Sequence, residues 1–291
     1  MNNPTPRHAP FTRIAAFCAG AALTSLGAVA VAASPMSAPR PAQAHPAPSP
    51  AVATDEAPPT MRTATAVVVK SWGGCSSDGL LWEALNRDWQ QLGEVRVHID
   101  YRNSALCDGS TQVTYDALTA SGAQTVILSD IAGGEHSLDA SEIDAITRYV
   151  QEGHNVIATY LTLEYRRFDN RGLAPLFGLD STVTYGWRNY VRGSYRTAKN
   201  ARLFYGVGEY STEGLRASQL PSGDYWTNDA AGDAHVIATG TSRRSAILQY
   251  CGSTFRAILF TEMPELGGGA QDERVLYNAV VMGRRAGCNE G

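Results

Sequence analysis

The sequence predicts an α/β fold: a flavodoxin-like, largely parallel sheet with helices on both faces. Three observations lead to this prediction. Apolar runs of strand length recur along the chain, segments of helical periodicity separate them, and most of these runs end in glycines or polar residues. Strands that alternate with helices pair in parallel through right-handed crossovers. In such sheets ligands bind outside the carboxyl ends of the strands.

The first half of the chain follows this alternation closely. A Val-rich first strand is predicted at 65–72, the second strand at 95–101 and the third at 123–130. A short helix or turn at 114–121 separates the second and third strands. Between the first and second strands a helix is predicted, because four apolar residues fall on one helical face: Leu81, Leu85, Trp89 and Leu92.

The third strand is followed by a second long helix and a fourth strand. Asp139 and Glu142 have the spacing of a capping box, and Gly153 suits the end of the helix. The buried stripe of this helix is Ile143, Ile146 and Val150. The fourth strand is predicted at 155–159. The chain then turns at Tyr160, and a further helix is predicted after the turn.

The pattern becomes irregular in a segment predicted to be an insertion, residues 185–235. Aromatic residues and arginines are interleaved there, and aromatic rings stack on sugars while arginines bind anionic groups. The segment is thus a candidate recognition surface, although its rings could instead pack the insertion onto the sheet. Regular structure returns with strands predicted at 234–240, 245–252 and 256–264 and a closing helix at 271–285.

The amino-terminal segment predicts export. Residues 1–33 combine an early positive charge with a run of small apolar residues, which is typical of a cleaved secretory signal. A membrane anchor is the alternative for this segment. Residues 34–62 form a linker rich in Pro and Ala, which favours extended, unpacked chain. Residues 63–291 are left as one folded domain, with no transmembrane segment after signal cleavage.

The net charge and the cysteine content indicate which ligands and which covalent bonds to expect. The formal net charge of the chain is −4, and an acidic surface argues against nucleic-acid binding. An exported chain favours disulfides, and the preferred pairs of the three connectivities are Cys75–Cys107 and Cys251–Cys288. A metal site is the alternative use of these cysteines, but no metal-ligand spacing supports it. No metal and no cofactor are expected.

Three short segments resemble landmarks of a known superfamily. "VILSD" (126–130) leads to a glycine pair, "GHNVIATYLTLE" (153–164) runs from a strand into a turn, and "ILFTEMPE" (258–265) ends the last strand. In this order and at these spacings they resemble the class I glutamine amidotransferase-like superfamily, over most of 65–285. The resemblance implies a flavodoxin-like fold. In active members it also implies a Cys-His-Glu triad and an oxyanion hole, formed in part by N–H groups of the turn that here contains Gly133 and Gly134.

The resemblance also implies that the triad is degenerate. Tyr160 falls where the Cys would be, Met263 falls where the His would be, and Glu265 matches the Glu. Thr162 stands in place of the elbow glycine. A phenol with a pKa of about 10 ionises poorly near neutral pH, and a thioether neither takes nor gives a proton. No catalytic residue is therefore expected.

Polar and aromatic residues at the strand ends are the ligand-binding candidates. They are Trp72, Asp130, His136, Tyr160, Glu164, Arg171 and Glu262. Each polar candidate has a structural alternative. The Tyr160 hydroxyl could be satisfied inside the protein, and Asp130 and His136 could serve the turn before the next helix. Arg171 could bind an anion, or Asp169 beside it could cap a helix.

These observations favour a secreted, non-catalytic binding or scaffold module, periplasmic or extracellular, with a glycan or an envelope protein as its partner. The alternative is a hydrolase of glycans or amides with a rebuilt site. Glu164 and Glu262 could then act as an acid/base pair, with Tyr160 or His136 nearby. That alternative requires these side chains to converge on one pocket.

Overall fold

The computed structural model describes residues 62–70, 75, 79–181, 186–188, 196–197, 202–208, 210, 217–219, 233–239, 245–267 and 269–282. The predicted signal, almost all of the linker, Trp72, Cys288 and most of the predicted insertion lie outside these ranges. Within the described residues, no helix has both the length and the apolar character needed to cross a membrane.

The first half of the domain alternates strands and helices as predicted. Its strands are β1 (Thr63–Val69), β2 (Arg96–Asp100), β3 (Thr125–Ser129) and β4 (Asn155–Thr159). Its helices are α1 (Gly79–Leu92), α2 (Tyr115–Ser121) and α3 (Ala140–Gln151). The predicted capping box is present at α3, where Asp139 and Glu142 each accept a hydrogen bond from the other's backbone N–H.

The second half begins with short elements and ends with longer ones. The strands are β5 (Glu164–Tyr165), β6 (Phe168–Asp169), β7 (Gly186–Arg188), β8 (Arg196–Thr197), β9 (Ala217–Gln219), β10 (Asp233–Thr239), β11 (Ser245–Cys251) and β12 (Arg256–Phe260). Two 3₁₀ helices span Arg171–Phe177 and Arg202–Phe204. The chain closes with α4 (Pro264–Gly267) and α5 (Ala270–Met282).

The central sheet has eight strands in the order β2-β1-β3-β4-β12-β11-β10-β8. The first five pair in parallel, and the pairs from β12 to β8 are antiparallel. The parallel part has the flavodoxin-like order, with β12 in the fifth place. The chain order reverses between β1 and β3, so the carboxyl ends of these two strands mark the switch point where this fold class binds ligands.

Two hydrophobic cores lie on opposite faces of the sheet. Successive residues of a strand point to opposite faces, so Val68 packs with α1 and α5 while Val67 and Val69 pack with α2, α3 and the first 3₁₀ helix. This two-sided burial explains why β1 reads as a continuous apolar run. On α1 the predicted stripe omits Trp82, which is fully buried one turn before Leu85.

A disulfide joins Cys75 and Cys107, as the sequence predicts, and links the segments that follow β1 and β2. Cys251 is also disulfide-bonded. Its expected partner, Cys288, lies outside the described residues.

The helix predicted after Tyr160 is wrong. The chain forms the two-residue strands β5 and β6, which pair as a hairpin, and then the 3₁₀ helix Arg171–Phe177. Thr162 contributes to this turn, because its hydroxyl lies 2.8 Å from the carbonyl of Leu128 and 2.7 Å from that of Thr159 and shares its one hydrogen between them. These bonds hold the chain against the ends of β3 and β4.

Candidate functional site at the carboxyl ends of the strands

Three neighbouring strands end at a non-glycine residue in the left-handed region of backbone conformation. Lys70 follows β1 with φ 40°, Asp130 follows β3 with φ 48° and Tyr160 follows β4 with φ 47°. All three residues are buried. Such conformations cost about 1–3 kcal/mol each and cluster at functional sites. The carboxyl edge of β1, β3 and β4 is therefore the candidate site.

At the switch point a buried ion pair is formed. The Lys70 ammonium lies 2.6 Å from Glu142 Oε1, and both side chains are nearly inaccessible to solvent. Glu142 also accepts hydrogen bonds from the N–H groups of Val113 and Asp139, each at 2.9 Å. The cation at the end of β1 is thus neutralised by the first turn of α3.

The next strand end carries a carboxylate that binds the chain itself. Asp130 Oδ1 accepts a hydrogen bond from the backbone N–H of Leu161, at 3.1 Å. A side chain at Gly133 would collide with the same carboxylate, so the Asp130 oxygens lie directly against the backbone of the glycine turn. The amide that follows Tyr160 therefore donates to an internal anion.

Tyr160 itself is enclosed. It is only 4% exposed and packs in a small cluster with Leu161 and Met263, and the half-buried Tyr165 packs against that cluster. The backbone N–H of Tyr160 donates to the carbonyl of Glu262, at 2.9 Å. The structure therefore places a buried phenol beside a thioether at the end of β4.

Glu265 lies in the same neighbourhood. Its Oε1 accepts a hydrogen bond from the hydroxyl of Ser129, at 2.7 Å, and another from the hydroxyl of Thr159. Ser129 and Thr159 are paired neighbours at the ends of β3 and β4, so the carboxylate bridges the two strands next to Tyr160. Tyr160, Met263 and Glu265 are thus brought together.

Glu262 belongs to a second buried polar group. The Tyr210 hydroxyl lies 2.8 Å from Glu262 Oε1 and 3.1 Å from Asp272 Oδ1. Burial, reinforced by the two carboxyl groups, raises the pKa of the Tyr210 phenol well above its usual value. Burial also raises the pKa of the Asp272 carboxyl to about 6, although hydrogen bonds from Tyr210 and Gly269 oppose this shift.

The raised pKa of Asp272 predicts a pH-dependent stability. The unfolded carboxyl has a pKa of about 4, so between about pH 4 and pH 6 the unfolded chain loses its proton first and stability falls as the pH rises. Two pKa units correspond to about 3 kcal/mol. Asp272→Asn keeps an oxygen acceptor for Tyr210 and removes the charge. We expect this variant to match the wild type at pH 4 and to exceed it by about 1–3 kcal/mol at pH 7.

Urea denaturation of both proteins at pH 4, 5, 6 and 7 measures this difference. An Asn variant that is less stable than the wild type at pH 7, or a difference that does not change with pH, contradicts the prediction.

The remaining candidates lie in other surroundings. His136 is half-buried against Gly109, and burial together with the positive charge of Lys70 lowers its pKa. Glu164 lies half-buried in β5, opposite Asp169 of β6. Arg171 makes two side-chain hydrogen bonds to Asp169, at 2.6 and 2.8 Å, so its guanidinium binds a neighbouring carboxylate.

Sequence reasoning missed several residues that shape this edge. Lys70 is a lone charge at the end of a Val-rich strand, and that position alone was a usable signal. Asn170 is fully buried and holds two loops together. Its amide NH₂ donates to the carbonyls of Thr162 and His136, and its oxygen accepts from the N–H of Leu138. Nothing in the sequence distinguishes Asn170 from its polar neighbours.

The described residues contain no group of His, Cys, Asp and Glu side chains arranged to hold a metal ion. The predicted alternative of a cysteine metal site is wrong for Cys75 and Cys107, because both sulfurs are used in the disulfide.

Comparison with known proteins agrees on the fold. No protein-family model matches the chain, and no curated protein resembles it in sequence. A cytoplasmic protein from Salmonella typhimurium LT2 aligns with a TM-score of 0.52 at 10% identity, over 77% of this chain and 100% of that one. A ThuA-like protein from Bacteroides uniformis aligns with a TM-score of 0.51 at 10% identity, over 75% of this chain and 89% of that one.

ThuA-like proteins have glutamine amidotransferase-like, flavodoxin-like folds. The class that the fold defines is therefore α/β, with a flavodoxin-like arrangement of strands. At 10% identity the likeness shows the fold alone.

Proposed function

We propose that this chain is a secreted, non-catalytic relative of the amidotransferases that acts as a ligand-binding or interaction module at the cell envelope or outside the cell. The observation that supports this most directly is the closed turn at the end of β4. Tyr160 keeps the left-handed backbone of a sharp strand-to-loop turn, yet it is buried against Leu161 and Met263.

The chemistry of this turn supports the same proposal. A nucleophile must be ionised or activated by a neighbouring base, and beside the Tyr160 phenol a thioether stands where the resemblance places the basic His. The N–H that follows the turn is bound by the Asp130 carboxylate, which would repel a developing oxyanion at that place. The degenerate triad, together with the Leu161 N–H that already donates to Asp130, favours a role without catalysis.

The alternative hydrolase has less support. It needs Glu262 as an accessible acid or base, whereas Glu262 is fully buried and bound by Tyr210. Its other candidates have separate surroundings, since His136 lies against Gly109 and Glu164 lies in the β5–β6 hairpin.

Export rests on the sequence of residues 1–33 and agrees with the Cys75–Cys107 disulfide, because such bonds persist in oxidising compartments. The intact mass of the chain recovered from outside the cytoplasm tests this part of the proposal. We expect residues 1–33 to be absent from it, and a full-length chain retained in the cytoplasm contradicts export.

Turnover assays test the absence of catalysis. The purified chain is incubated with glutamine and with chromogenic glycosides and amides, beside Tyr160→Phe and Glu262→Gln. We expect no hydrolysis above the buffer rate for any of the three proteins. Hydrolysis by the wild type that either substitution abolishes contradicts the proposal.

A further inference from the structure

A groove of about 450 Å³ lies at the opposite end of the strands from Tyr160. Its walls are one face of α3, the 3₁₀ helix Arg171–Phe177 and the turn 252–255 between β11 and β12. That turn precedes β12, so the groove opens at the amino end of β12, whereas Tyr160 follows the carboxyl end of the parallel strand β4. Its volume lies within the range of about 300–1,000 Å³ that is usual for small-molecule sites.

The groove has an aromatic wall. Tyr250 is buried, and its ring centroid lies 5.9 Å from that of Phe255 at an angle of 52°. Phe255 is half-buried with Gly252 against part of its ring, so the groove exposes the remaining part of the Phe255 ring. Pro175 of the 3₁₀ helix adds an exposed apolar surface. Rings of this kind offer flat faces on which the C–H surfaces of a sugar can stack.

The other wall is polar and has both donors and acceptors. Asp144, Thr147 and Gln151 follow one another along α3 at spacings of three and four, which places them on one helical face. In the part of the chain that the structure describes, these three side chains make no hydrogen bond or ion pair with the protein. Their polar groups are therefore directed to solvent and are available to a ligand.

The groove is preformed. The Thr254 hydroxyl donates to the carbonyl of Gln151 at 2.6 Å and fixes the β11–β12 turn on the end of α3. On the other side, Gly172 lies so close to Ile143 of α3 that a side chain there would crowd it. Binding therefore needs little rearrangement of the walls, which lowers its entropic cost.

We propose that this groove binds a neutral saccharide. Asp144 is the one charged side chain among the groove's described lining residues, so an anionic ligand is disfavoured. An apolar ligand would gain no hydrogen bond from the hydroxyl, amide and carboxylate groups of α3. A polyhydroxylated ring matches both walls, because it presents hydroxyl groups to α3 and a C–H face to Phe255. The inference rests on the proposed function, since it gives the binding module its ligand class.

Titration of the mature chain with neutral mono- and disaccharides tests the inference. Binding is measured by calorimetry or NMR. The probes are glucose, N-acetylglucosamine, maltose, cellobiose and chitobiose. Gln151→Ala removes an amide from the rim, and Thr147→Trp fills the groove. Arg148→Ala is the matched control, because Arg148 is an exposed residue of the same helix that does not line the groove.

We expect at least one saccharide to bind in the millimolar range or tighter. Both groove variants should raise its Kd about tenfold or more, while Arg148→Ala leaves it unchanged. Circular dichroism confirms that all variants are folded. If no probe binds, or if the groove variants bind as the wild type does, the inference is overturned while the non-catalytic proposal stands. Turnover of a bound saccharide overturns the non-catalytic proposal instead.

Discussion

Lys70→Met is expected to lower the free energy of unfolding by about 3–5 kcal/mol. The substitution removes one partner of an ion pair whose nitrogen and oxygen lie 2.6 Å apart, in side chains that solvent barely reaches. Glu142 would remain buried and charged, with only the N–H groups of Val113 and Asp139 as donors. The loss is therefore mainly the cost of an uncompensated buried charge. Chemical denaturation of the wild type and the variant measures it.

Two further variants separate this cost from a general effect of removing a charge. Arg87→Met breaks the exposed pair with Asp88, and we expect this variant to be nearly as stable as the wild type because water screens the pair. The double variant Lys70→Met/Glu142→Gln removes both charges, so it should lose less than the sum of the two single variants. Two results would contradict a stabilising buried ion pair. One is a free energy of unfolding for Lys70→Met within about 1 kcal/mol of the wild-type value. The other is a double variant whose loss equals the sum of the losses of Lys70→Met and Glu142→Gln.

Asn170→Ala is expected to cost about 3–5 kcal/mol. The variant leaves the N–H of Leu138 and the carbonyls of Thr162 and His136 without the Asn170 amide, and each buried group without a partner costs about 1–3 kcal/mol. Because Asn170 ties the loop before α3 to the turn after β4, hydrogen exchange should also accelerate in both segments.

Asn103→Ala is the control for this second substitution. The Asn103 side chain accepts from the N–H of Ala105 in an exposed loop, so its loss should cost less than about 1 kcal/mol. Equal losses of stability for the Asn103 and Asn170 variants would mean that the Asn170 network does not hold the two segments together.

Much of the fold is predictable from local patterns. The apolar runs predict β1, β3, β4 and β12, because strands buried on both faces leave no place for polar residues. The capping box at Asp139 and Glu142 predicts the start of α3, because the two side chains bond to backbone groups only three residues away. These signals involve residues that are close along the chain, so they can be recognised in a single sequence.

The sequence did not predict what fills the carboxyl edge, because each partner there is distant along the chain. Lys70 meets Glu142, and Tyr210 meets Glu262 and Asp272, only after the helices have docked on the sheet. Glu142 is already explained by its capping box, so nothing in the sequence suggests a second role for it. The hairpin after Tyr160 was missed for the same reason, since the Thr162 hydroxyl bonds to Leu128 on the neighbouring strand.

Thiol accessibility tests most directly whether the turn at Tyr160 and Met263 is closed. Met263→Cys places a thiol in the cluster with Tyr160, and Tyr205→Cys places one at a position that is 79% exposed. The modification of each thiol by a small disulfide reagent is followed under native conditions, and the wild-type signal is subtracted. In a closed site the thiol reacts only when the structure opens, so the Met263→Cys thiol should react roughly a hundredfold or more slowly than the Tyr205→Cys thiol. Comparable rates for the two thiols would mean that the site is open, and would contradict the account.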